Sequence, residues 1–184
     1  MKRVVWSTAA VVLVTAVAVW LIVRATAPAG GPLRSAPAHG WATTHPVGEP
    51  FTDGLEILKF PGAHDAAVLE SVELIGADGL EVVGVSLAGP DRRFGSIMHL
   101  DGYPPRDPDL SDVRPSDTAM TPDEVGWQLL LGIQATEPGY LTREGLRITY
   151  SIDGQTYERE YAAHLAVCTS QKYWQDGECP LPQG

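Results

Sequence analysis

Residues 4–23, from Val4 to Val23, hold no charged residue, no Gly and no Pro, and this run constrains the chain more than any other feature. At a helical rise of about 1.5 Å per residue it is about 30 Å long, the thickness of a bilayer's hydrocarbon core. Lys2 and Arg3 precede it together with the free amino terminus, and only Arg24 closes it. That asymmetry favours an amino terminus on the cytoplasmic side. Trp6 and Trp20 sit near the two ends, where indole rings prefer the membrane interface. A cleaved signal peptide is the competing reading, but its apolar core is shorter, about 7–15 residues, and ends in a small-x-small site. The nearest such site here, Ala25-Thr26-Ala27, is followed by Pro28, a poor residue at that place. A retained span, residues 1–24 with its flanks, is therefore the expectation. No Cys stands directly after the run, which excludes a lipoprotein anchor, and the absence of internal charge makes the span a passive anchor rather than an ion path.

Charge separates cleanly along the chain. Ten of the 13 basic residues and all 23 acidic residues follow residue 24, giving that part a net charge of −13. Such a surface repels phosphate backbones and anionic lipid, which argues against nucleic-acid binding. Cys168 and Cys179 both fall on the outer side, where an oxidising compartment pairs them as one disulfide closing a short loop. In the chain-entropy description that closure is worth on the order of 3 kcal/mol.

Residues 25–50 contain Pro28, Pro32, Pro37, Pro46 and Pro50 with Gly30, Gly31, Gly40 and Gly48, and nothing there repeats at a helical or strand period. They read as a linker stiffened by proline, with Trp41 its one bulky apolar residue. From residue 51 to 184 the pattern is β. Residues 55–60 make a short run ending at Pro61-Gly62. The Val/Leu-rich runs 67–75 and 80–88 flank an Ala77-Asp78-Gly79 turn, a hairpin signal, with Val83, Val85 and Leu87 on one face. In 127–135, Trp127, Leu129, Leu131 and Ile133 point one way and Gln128, Gly132 and Gln134 the other. In 146–167, Asp153-Gly154 supplies a type I′ turn that sets Ile152 opposite Gln155, Tyr150 opposite Tyr157, Leu146 opposite Tyr161 and Arg147 opposite Glu160. No helical period appears after residue 24. About six or seven strands with turns between them suggest an all-β sandwich behind one transmembrane helix.

The span, the proline-rich linker and the segments AVLESVELIGADGLEVVGV and LRITYSIDGQTYEREYAAHLAVC resemble small uncharacterised single-span, extracytoplasmic immunoglobulin-like proteins of high-GC Gram-positive bacteria. The usage of 10 Arg against 3 Lys agrees with such a genome. The resemblance implies an immunoglobulin-like fold and carries no catalytic residue, although the usual Cys–Trp–Cys spacing is missing here.

The chemistry-bearing residues form no enzyme signature. Gly84-Val85-Ser86-Leu87-Ala88 falls one residue short of a nucleophile elbow and sits inside a strand. No Gly-rich loop leads into a helix, so a phosphate cradle is not indicated. His39 and His45 lie in the linker, and no His-x-His or HExxH spacing occurs. Asp107, Asp109, Ser111 and Asp112 resemble the start of a calcium loop, but Asp112 and Thr118 stand where that loop needs Gly and Glu. Met98, His99 and Met120 offer soft ligands of the kind that suit Cu(I). Tyr173 and Trp174, on the loop closed by the cysteines, are the candidate partner contacts. The expectation is a non-catalytic interaction module without a cofactor, anchored in the lipid bilayer through residues 4–23 and meeting an envelope protein through the 101–124 and 168–179 loops. The alternative is an extracytoplasmic calcium or copper protein acting through the acidic loop or through Met98 and His99.

Overall fold

Alternating apolar and polar residues become strands whose inner faces close on one another. The structure is a computed structural model that describes residues 31–34, 39–63, 65–91, 97–106 and 112–182. The expected span at 4–23 lies outside these residues, and among them no helix is long and apolar enough to cross a membrane. The described residues form ten strands: β1 (His39–Thr44), β2 (Pro50–Gly54), β3 (Ile57–Leu58), β4 (Ala67–Ile75), β5 (Leu80–Ala88), β6 (Ile97–Asp101), β7 (Val113–Pro115), β8 (Trp127–Ala135), β9 (Tyr140–Ile152) and β10 (Gln155–Cys168). A short 3-10 turn, Gln171–Tyr173, follows.

The strands make two sheets stacked as a sandwich. One has the order β1-β10-β9-β4, the other β6-β2-β8-β5-β7 with β3 also on β8. Phe51, Leu129, Leu131 and Ile133 from the second sheet meet Leu146, Ile148, Tyr150, Leu165 and Val167 from the first, all fully or almost fully buried. Burying each such side chain is worth about 1.5–3 kcal/mol.

The β9–β10 hairpin has the register that its turn predicts: Ile152 pairs with Gln155, Tyr150 with Tyr157, Arg147 with Glu160 and Leu146 with Tyr161. Asp153 and Gly154 take φ of 49° and 73°, the left-handed values a type I′ turn needs. The Tyr150 and Tyr157 rings stack at 5.5 Å, and Arg147 donates to Glu160 at 2.7 Å.

Three expectations need correction. Residues 67–75 and 80–88 are strands, but they do not form a hairpin, because β4 pairs with β9 and β5 with β8. The Ala77–Gly79 turn carries the chain from one sheet to the other, which lets each strand bury a face against the opposite sheet. Val83 does not share a face with Val85 and Leu87: a bulge between Val82 and Gly84 turns it outward, leaving it 41% exposed. The linker boundary at residue 50 also differs, since β1 lies within 25–50, pairs in parallel with β10 and buries Trp41. A parallel edge strand obtains its register from a distant partner, so no local turn signal announces it.

The described parts of the 101–124 segment pack on the sandwich. Tyr103 lays its ring over Gly84 and Gly132 and bonds to Ser86 Oγ at 2.6 Å, covering the outer face of the second sheet. β7 pairs with β5, and buried Met120 exchanges backbone hydrogen bonds with Ala67. With both faces covered, β8 is buried at almost every position, Gln128 included.

Candidate metal centre

β1 and β6 each end their sheets, and they lie on the same side of the sandwich. β1 delivers His45 just past its last residue, while β6 carries His99 and ends at Asp101. β6 is held by β2 through the pairs Phe51–Asp101 and Thr52–Leu100. The His45 and His99 rings approach to 5.7 Å, and both lean on the buried ring of Phe51, at 5.0 and 5.4 Å. Trp41 closes the apolar side, 6.2 Å from Phe51 and 6.0 Å from His99.

One ligand atom from each of His45, His99 and Asp101 falls within a set in which all lie within 4.8 Å of one another. Ligands at about 2.0–2.2 Å from a tetrahedral ion lie about 3.5 Å apart, so a modest convergence of side chains forms a site. The electrostatics of the three groups are graded. His45 is 7% exposed, and its Nε2 is buried with no hydrogen-bond partner. The Nε2 of His99 is likewise buried and unpartnered, 3.9 Å from Asp101 Oδ1. The Asp101 side chain is 92% exposed and supplies negative charge from the solvent side. Burial lowers the pKa of His99 below its ordinary value; Asp101 opposes this, and His45 adds to the lowering. A neutral imidazole keeps the lone pair that a metal requires.

A buried acceptor or donor left without a partner costs about 1–3 kcal/mol. Two such nitrogens on residues clustered with a carboxylate are what a cation would satisfy at once. Two imidazoles and one carboxylate suit borderline divalent ions such as Zn²⁺ and Cu²⁺ better than Ca²⁺, which takes six to eight oxygens.

The residues expected from sequence fall in several places. His99 is in the cluster, and Met98 precedes it on β6, while Met120 is buried beside Ala67 at the opposite edge. Asp107, Asp109 and Ser111 lie outside the described residues, and Asp112 is engaged by Arg114 through two hydrogen bonds of 2.9 and 3.0 Å. Cys168 and Cys179 form the disulfide, with Cα atoms 5.7 Å apart. Tyr173 and Trp174 are half-buried, and the Trp174 indole donates to Thr44 Oγ1 at 2.7 Å.

His45 and Asp101 are the members that the sequence reading passed over, one as linker and one as the start of a loop. The usable signal was the alternation of Trp41, Thr43 and His45, which puts a buried ring and an imidazole on one strand face. No protein-family model matches the chain, and no curated protein matches it.

Proposed function

We propose that this protein is a membrane-anchored, extracytoplasmic β-sandwich module of immunoglobulin-like type that binds a divalent transition metal and is not a catalyst. The single observation that supports metal binding is the clustering of His45, His99 and Asp101, in which the Nε2 of each histidine is buried without a hydrogen-bond partner. Placement outside the membrane rests on the apolar run 4–23, its basic flank and the Cys168–Cys179 disulfide. The test uses the full chain in detergent micelles. Zn²⁺ or Cu²⁺ should raise its melting temperature by linkage, and His45→Ala and His99→Ala should each remove that rise. A melting temperature indifferent to both ions overturns the reading. Protease digestion of the outer domain on intact cells tests its placement separately.

Partner binding, the other reading, draws on a different feature. Arg34, Lys59, Phe60 and Pro61 face Pro122, Asp123 and Glu124 across an open groove of about 580 Å³. Its apolar floor between rims of opposite charge suits an extended peptide of an envelope partner carrying both charges. Photocrosslinking from position 59 tests it, and capture of nothing beyond this chain itself counts against it.

A further inference from the structure

The strand that delivers His45 is held from the carboxyl-terminal side of the chain. Among the described residues β1 pairs with β10, and their parallel register sets Thr44 beside Cys168. The backbone N–H of His45 donates to the carbonyl of that same Cys168 at 3.0 Å. The disulfide ties Cys168 to Cys179, and the loop between them carries Trp174, whose indole N–H returns to Thr44 Oγ1. Beyond the disulfide, the chain passes over the start of β1: a Cβ built on Gly40 would lie 3.3 Å from Pro182 Cγ. Tyr140 fixes that passage by donating from its hydroxyl to Leu181 O at 3.3 Å. The loop and tail therefore clasp β1 at both ends, and the residue released from the upper end is His45.

We infer that the disulfide-closed loop is the positioning device of the metal site, with Trp174 and Thr44 as positioning residues that hold His45 against His99 and Asp101. The inference rests on the metal reading above. Neither residue reaches the ligand atoms; they act on the backbone from which His45 projects. A ligand carried just past an edge strand frays more readily than one inside a sheet, unless something other than the sheet restrains it. Restraint from the loop lowers the entropy lost when the ion orders its ligands, which is how preorganisation raises affinity.

The experiment measures two quantities on the full chain in micelles: Zn²⁺ affinity by competition with a chelator, and hydrogen exchange of the His45 amide in metal-free protein. Trp174→Phe keeps the ring and loses the N–H, Thr44→Val loses the acceptor, and Thr44→Ser retains it. Trp174→Phe and Thr44→Val should each weaken Zn²⁺ binding and speed His45 exchange by about threefold to fivefold, the worth of one hydrogen bond. Thr44→Ser should restore wild-type values for both. The Co²⁺-substituted protein should show an altered ligand-field spectrum in the two impaired variants. Wild-type affinity and exchange in both impaired variants overturn the inference and leave the metal reading standing. Faster exchange in a protein that binds no Zn²⁺ at all overturns the metal reading, while the clasp itself stands. Either impaired variant alone decides the matter if the other misfolds.

Discussion

Arg143 on β9 donates from Nη1 to Asp53 Oδ2 on β2 at 2.7 Å, with both side chains sealed from solvent at 0% and 1% exposure. The two sheets are thus joined through their core by a charge pair. Arg143 Nε also donates to Ala163 O at 2.8 Å, and Asp53 Oδ1 accepts from Leu55 N at 3.2 Å. Desolvating two charges costs several kcal/mol each, so such a pair contributes little net stability, yet removing one partner strands the other. Arg143→Met should therefore cost about 3–5 kcal/mol in urea unfolding, and Arg143→Met combined with Asp53→Leu should cost clearly less. A double variant as unstable as the single one would contradict this account.

At the proposed metal site, Asp101 differs from the two histidines in being exposed. Asp101→Asn keeps both imidazoles and removes a charge that solvent and salt already screen. Zn²⁺ binding should weaken in this variant at low ionic strength, and the difference from wild type should shrink in 0.5 M salt, where the Debye length is about 4 Å. Calorimetric titration at two salt concentrations reads it directly; a difference that does not shrink points to a geometric role for Asp101.

Alkaline pH should unfold the domain through its tyrosines. Burial raises the pKa of Tyr161 far above the ordinary phenol range, and burial likewise raises that of Tyr150 despite its hydrogen bond from Leu33 N. The folded state then holds protons that the unfolded chain releases above a pH of about 10, so the contribution is complete below that pH and declines above it. The melting temperature should fall between pH 10 and 11.5. The Tyr161 hydroxyl is buried without a partner, so Tyr161→Phe should fold at least as stably at pH 7 and lose less on going to pH 11. An equal loss in the variant assigns the alkaline limb elsewhere.

Reduction of the Cys168–Cys179 disulfide, which spans a sequence separation of 11, should lower stability by about 2–3 kcal/mol through the freed loop. Calorimetry with and without a dithiol reductant measures it. Because Cys168 is fully buried and joined to β9 and β1 by its strand, the sandwich itself should persist, with β1 the first element to exchange its amides.

Several features were legible because their causes are local. The strands at 67–75, 80–88 and 127–135 follow from apolar alternation. The β9–β10 register follows from a two-residue turn, since an Asp-Gly step with positive φ permits one pairing and so places Arg147 against Glu160. The disulfide followed from two cysteines and a compartment argument.

What stayed hidden depended on partners far along the chain. β1 has Trp41 as its one bulky apolar residue and pairs with a strand more than a hundred residues later, so its six residues read as proline-rich linker. Nothing near Arg143 in the sequence announces its partner, because Asp53 lies on β2, 90 residues earlier. His45 and Asp101 became a site only when the edges of two different sheets were laid side by side. Alternation and turn chemistry act over a few residues, and for that reason the sequence alone determined the longer strands, the hairpin register and the apolar run. The tertiary structure decided which sheet each strand joins and which polar groups meet, because those depend on burying two apolar faces against each other, a condition no short segment can express.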